Sequence, residues 1–98
     1  MVNGMDIVRT SAILDTLKDP IRLEIIFFLS QSPATFEMLK KEIARTLYET
    51  NENIIRGHLA VLRYYGWVRR ENGIYYAPQE LQEHKLIQEI VQYVFKER

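Results

Sequence analysis

Apolar residues recur along most of this chain at helical spacing, with one stretch of β-forming residues between. The sharpest case lies in residues 50–66, where Ile55, Leu59 and Leu62 stand at i, i+4 and i+7 and form one stripe of a helix over about 51–65. Asn53, Arg56, Gly57, Ala60 and Tyr64 fall on the opposite side, with Arg63 at its edge. Thr50 or Asn51 can cap the start, because a short side-chain oxygen can accept from unpaired first-turn amides, and Gly66 ends the helix. One face of this helix holds to a core. The other offers an amide, guanidinium groups and very small side chains, a set that suits the major groove of DNA.

The same pattern predicts the remaining elements. A first helix over 5–18, capped by Asp6 or Asn3, carries Ile7, Ala12, Ile13, Leu14 and Leu17. Asp19-Pro20 stops it, since proline disfavours the α conformation in the residue before it. Pro20 then suits the first turn of a second helix, to about Ser30, whose apolar residues Ile21, Leu23, Ile25, Ile26, Phe27, Phe28 and Leu29 nearly encircle it. That makes it the central core helix. Residues 31–34 read as a turn, and Thr35 as the N-cap of a third helix to about Leu47 with Phe36, Leu39, Ile43 and Leu47 on its apolar stripe and Lys40, Lys41 and Arg45 towards solvent. Few residues separate it from the helix at 51–65, the short joint of a helix-turn-helix. Tyr48, Glu49 and Thr50 form that turn.

After Gly66 the period changes. Residues 67–71 and 74–77 read as two strands joined by Asn72-Gly73, whose residues tolerate the positive φ of a tight hairpin turn. Two strands alone are marginal, so the hairpin must pack on the helices, with Trp67 closing the core beneath it. A last helix over 79–96 places Leu86, Ile87, Ile90, Val91, Val94 and Phe95 on a wide apolar face. The predicted architecture is mainly α: five helices and a two-stranded wing in a single winged helix-turn-helix domain over residues 1–98.

Composition narrows the function classes. At 98 residues and 47% hydrophobic the chain makes one folded domain with a limited core. No apolar run approaches the roughly 18–20 residues of a membrane span, and the N-terminal residues show no secretory pattern, so a cytoplasmic protein is expected. Cysteine is absent, which excludes a disulfide framework, a thiolate metal site and a cysteine nucleophile. With two histidines in unrelated settings and no glycine-rich phosphate loop, no catalytic constellation is visible and no enzyme is expected. Net charge is zero, yet residues 51–78 hold four arginines against two glutamates, and residues 79–98 hold three cations against four glutamates. The positive excess sits on the helix at 51–65 and the hairpin.

Two segments resemble the ArsR-like family of bacterial and archaeal transcription regulators (arsenic-repressor type). Leu17-Lys18-Asp19-Pro20-Ile21-Arg22-Leu23-Glu24-Ile25-Ile26 is similar to that family's L-x-D-P-x-R-x-x-I-L opening, and Arg56-Gly57-His58-Leu59-Ala60-Val61-Leu62-Arg63-Tyr64-Tyr65-Gly66-Trp67-Val68 to its S-R-H-L-x-x-L-x-x-x-G-L-V segment. The likeness spans residues 13–78. It implies a dimeric repressor or activator on double-stranded DNA in a prokaryotic or prokaryotic-virus setting, acting at the nucleoid, with the helices at 5–18 and 79–96 as the dimer interface. Ile7, Ile13, Leu14, Leu86, Ile87, Ile90, Val91, Val94 and Phe95 are the expected interface residues. Arg56 and Gly57 replace the family's usual Ser and Arg, so its base-reading pattern does not carry over. The family's metal sensors use cysteines or clustered histidines and carboxylates. His58 and His84 are the only imidazoles here, so neither metal nor cofactor is expected, and any small-molecule effector is undefined.

The expected recognition residues are Thr50, Asn51, Asn53, Arg56, Gly57, Ala60, Arg63 and Tyr64. Arg56 can present its fork to guanine O6 and N7 or clamp a phosphate, and Asn53 can read adenine or simply cap the helix. Gly57, with small Ala60 one turn on, permits close approach of the helix backbone. Thr35, Lys40, Arg69, Arg70, Asn72, Gly73 and Tyr75 are expected at the DNA backbone. Adjacent strand residues face opposite ways, so one of Arg69 and Arg70 points to DNA while the other pairs or stacks within the hairpin. His58, at the edge of the apolar stripe, reads as a hydrogen-bonded structural residue, and His84 as a surface one. Two rival readings keep the fold: a protein-interaction module of a transcription or replication assembly, and a sequence-indifferent architectural DNA-binding protein.

Overall fold

Asp19 opens the central helix, α1 (Pro20–Gln31), with its carboxylate accepting from the amides of Ile21 at 2.8 Å and Arg22 at 3.3 Å. Pro20 occupies the first turn, where a missing N–H costs nothing. The computed structural model describes residues 4, 8, 11, 15–47 and 50–97, apart from the side chains of Leu81, Leu86, Ile90, Val94, Phe95 and Glu97. Ile21, Ile25, Ile26 and Leu29 of α1 are buried in the core. Most of the helix predicted over 5–18 lies outside the described residues; of those described within it, residues 8, 11 and 15–17 are helical. So do the proposed interface residues Ile7, Ile13 and Leu14, the side chains of Leu86, Ile90, Val94 and Phe95, and the turn residues Tyr48 and Glu49.

A short strand, β1 (Ala34–Thr35), leads into α2 (Phe36–Thr46), and Thr35 Oγ1 caps that helix by accepting from Met38 N at 3.3 Å. The next helix, α3 (Glu52–Tyr64), is capped by Asn51, whose Oδ1 accepts from Ile54 N at 2.9 Å. Of the two candidate caps, Asn51 holds the position. Leu39 and Ile43 of α2, and Ile55, Leu59 and Leu62 of α3, enter one core with α1 as the spacing predicted.

The exit from α3 sets the direction of everything after it. Gly66 adopts φ +81°, Trp67 N donates to Leu62 O at 2.8 Å, and Gly66 N donates to Arg63 O at 3.1 Å. This paired closure needs a left-handed residue where Gly66 stands. It drives Trp67 and Val68, both buried, back under the helices.

The strands β2 (Arg69–Glu71) and β3 (Ile74–Tyr76) then form the hairpin, with Asn72 at φ 52° and Gly73 at φ 78° making the tight turn. The register pairs Arg69 with Tyr76, Arg70 with Tyr75 and Glu71 with Ile74. The sheet has three strands rather than the two expected, in the order β1-β3-β2, because Ala34 pairs with Tyr75 and Thr35 with Ile74. Residues 31–34 read as a turn, yet their last residue begins β1. A strand of two residues has no periodicity to betray it, and its pairing supplies the support that a lone hairpin lacks.

A second departure is at the end of the chain. The single helix expected over 79–96 is two, α4 (Gln79–Gln82) and α5 (Lys85–Glu97). The reason lies in the spacing. On a continuous helix the stripe neighbours of Leu81 would be His84, Lys85 and Gln88, all polar, so the apolar stripe cannot run through. The Gln82 side chain turns back instead and donates to Ala77 O at 2.8 Å. Ile87 of α5 is buried, and Val91 packs against the core from its edge. No helix among the described residues is long and apolar enough to cross a membrane.

Candidate nucleic-acid interface

The buried stripe of α3 leaves Asn53, Arg56, Gly57, Ala60, Arg63 and Tyr64 exposed together on its outer side. Thr50 is half-buried just before the helix, and Asn51 is exposed but commits its side-chain oxygen to the cap. Beside the end of α3 the hairpin leaves an open cleft of about 630 Å³, lined by Ala60, Arg63, Tyr64, Val68, Arg69, Arg70, Glu71 and Tyr76. Helix face, cleft and wing form one continuous surface bearing Arg56, Arg63, Arg69 and Arg70. Tyr64, 83% exposed, meets Tyr65 edge to face at 5.1 Å between ring centres.

Each cation on this surface has a different setting. Arg56 lays its guanidinium 4.0 Å from the centroid of the Phe36 ring, and its Nη2 stands 3.9 Å from Glu52 Oε2. Lys40 Nζ donates to Glu52 Oε1 at 2.8 Å, tying α2 to the first turn of α3. That hydrogen bond, followed by the lysine's charge, holds the Glu52 carboxyl below the usual carboxylate range. The same hydrogen bond and the glutamate's charge push the Lys40 ammonium up. Lys40, expected at a phosphate, is thus engaged by Glu52. Neither Glu52 nor Phe36 was expected at this surface; Glu52 and Arg56 stand at i, i+4 on α3, but no local spacing pairs Glu52 with Lys40 or Phe36 with Arg56.

On the wing, Arg70 lies over the Tyr75 ring at 5.7 Å, while Arg69 Nη2 approaches Glu80 Oε1 at 3.9 Å. Both arginines stay exposed, with Asn72 and Gly73 at the tip. Tyr75 corrects the expectation. It is 6% exposed and belongs to the core, not to the outer face of the wing: its register partner Ala34, on the same face of the sheet, is buried against the helices. The ring available to the cleft is that of half-buried Tyr76. Thr35 is half-buried and its hydroxyl caps α2.

Among the described residues nothing beyond its own helix backbone comes within 4 Å of the point where a Cβ at Gly57 would stand, so no packing contact there requires glycine. His58 is a structural residue: its Nδ1 accepts from Arg22 Nε at 3.1 Å, and its Nε2 lies 3.7 Å from Asp19 Oδ1. His84 is exposed. Among the described residues no group of three or more His, Asp or Glu side chains is placed to hold a metal ion.

No family model and no curated protein sequence matches the chain. Solved structures do. The transcriptional repressor BigR from Xylella fastidiosa superposes with a TM-score of 0.74 at 22% identity, covering 96% of this chain and 92% of its own. HlyU from Vibrio cholerae N16961 matches with a TM-score of 0.74 at 19% identity, over 93% of this chain and 97% of that one. A predicted DNA-binding transcriptional regulator from E. coli matches with a TM-score of 0.66 at 20% identity, over 96% and 94%. The likeness in three dimensions covers nearly the whole chain. Identity at this level speaks to architecture, and the architecture is that of a winged helix-turn-helix.

Proposed function

We propose that this protein is a homodimeric, sequence-specific double-stranded DNA-binding transcription regulator of prokaryotic type, acting in the cytoplasm at the nucleoid without metal or cofactor. The observation that carries the reading is the outer face of α3, where Asn53, Arg56, Gly57, Ala60 and Arg63 stand exposed opposite a fully buried stripe. A face of this kind, on a helix with a basic wing beside it, fits a major groove while the wing meets the neighbouring backbone. Arg56 and Asn53 are the base readers. Arg63 and one of Arg69 and Arg70 hold phosphates and so set register without reading sequence. The segment 5–18, expected as a helix, and α5 form the dimer seam, which two-fold symmetry converts into a demand for inverted half-sites. The neighbours described as a repressor and a DNA-binding regulator support the same reading.

Sedimentation of the purified chain, alone and with a duplex of random sequence, tests it. A species of twice 11.7 kDa that loads as a dimer onto the duplex is expected. A chain that stays monomeric, or leaves the duplex untouched at low salt, would overturn the proposal.

A further inference from the structure

Phe36 is the first residue of α2, well away in sequence from the helix proposed to read DNA, yet its ring lies 4.0 Å beneath the Arg56 guanidinium. We infer that Phe36 is a positioning residue for base recognition by Arg56, a role that rests on α3 being the reading helix. A guanidinium carries its five N–H donors around the edge of its plane. Stacking on an aromatic ring therefore occupies one face and leaves the fork open to a base edge. The Glu52 carboxylate at 3.9 Å from Nη2 is too far to take a donor but close enough to bias the direction of the fork. An exposed arginine otherwise spreads over many rotamers, and ordering it on binding weakens the interaction.

The ring is itself fixed from two directions. Thr35, immediately before it, pairs with Ile74 of the wing and caps α2 through Met38, while Phe36 packs against the core. The wing and the reading arginine are thereby joined through two consecutive residues, Thr35 and Phe36. This sets Arg56 at a constant height relative to the wing, so base reading and backbone grip share one register.

Competition binding with duplexes that vary each base pair of a site enriched from a random pool tests the inference in the 98-residue chain. Arg56→Ala identifies the base pair that Arg56 reads, as the position where discrimination collapses. Phe36→Leu keeps an apolar side chain but removes the ring, and should flatten preference at that same base pair by about two- to fivefold, with other positions unchanged. Phe36→Tyr should preserve the preference, and Phe36→Leu added to Arg56→Ala should remove nothing more. If Leu is not tolerated, Phe36→Met makes the same comparison. Unaltered base preference in the Leu or Met variant, or an equal loss at every position, overturns the positioning role alone. A wild-type chain that enriches no sequence overturns the DNA-reading proposal, and the role of Phe36 falls with it.

Discussion

Arg22 of α1 donates through Nε to His58 Nδ1 of α3 at 3.1 Å, and so joins the two sequence segments that carry the resemblance to known regulators. Asp19 belongs to the same cluster: it caps α1 and faces the other imidazole nitrogen. A helix packed by an apolar stripe alone can rotate slightly about its axis. A polar clasp at the edge of that stripe selects one rotation, and with it the residues of α3 that face outward.

His58→Ala should therefore destabilise the fold by roughly 1–2 kcal/mol, the range for a partly exposed hydrogen bond to a charged group. His58→Gln, which retains an acceptor, should recover part of that loss. Urea unfolding measures both. Equal stability of the Ala variant and the wild type would show that the clasp contributes nothing.

Glu52 occupies the first turn of α3 and engages Lys40 while standing near Arg56. Glu52→Gln should release Lys40 to phosphate, raise affinity for non-specific duplex and steepen the salt dependence by about one charge. An unchanged salt slope would leave Lys40 outside the interface.

The same pair predicts a pH response. The Glu52 carboxyl titrates below its usual range because Lys40 donates to it, so its contribution is present above the unfolded carboxylate value and lost as pH falls through the folded one. Lys40 is raised by the same bond, so its contribution is present below the unfolded lysine value and lost as pH rises through the folded one. The stability difference between wild type and Glu52→Gln should be flat across about pH 6–8 and shrink only at the acid and alkaline ends. A change within the neutral window would contradict this assignment.

Gly57→Ala separates folding from binding. With open space at the Cβ position and a helical backbone, alanine should stabilise the fold by about 1 kcal/mol. If the α3 backbone approaches DNA closely at this point, affinity should fall while thermal stability rises. Affinity that holds as stability rises would leave Gly57 without a binding role.

Much of this architecture is legible in the sequence because its signals are local. The stripes of α2 and α3, the Asp19-Pro20 start, the Asn72-Gly73 turn and the helix stop at Gly66 each rest on residues within a few positions of one another. The missed features are the non-local ones. β1 is defined only by its partners Ile74 and Tyr75, about forty residues on. Two adjacent tyrosines in β3 must face opposite ways, but which of them is buried depends on that same pairing. Arg56 meets Phe36, and Lys40 meets Glu52, only once α2 and α3 are docked. The break between α4 and α5 is the exception. The polar positions around Leu81 disclose it, although the apolar run after residue 85 masks the change of phase.

Selection of bound fragments from a random duplex pool, at about 0.15 M salt, tests the central claim most directly. A two-fold reader predicts enrichment of an inverted repeat whose half-sites lie about 10 base pairs apart, or a multiple of that. Retention without an enriched sequence, or no retained DNA at all, would contradict the reading of α3 as a sequence-recognising helix.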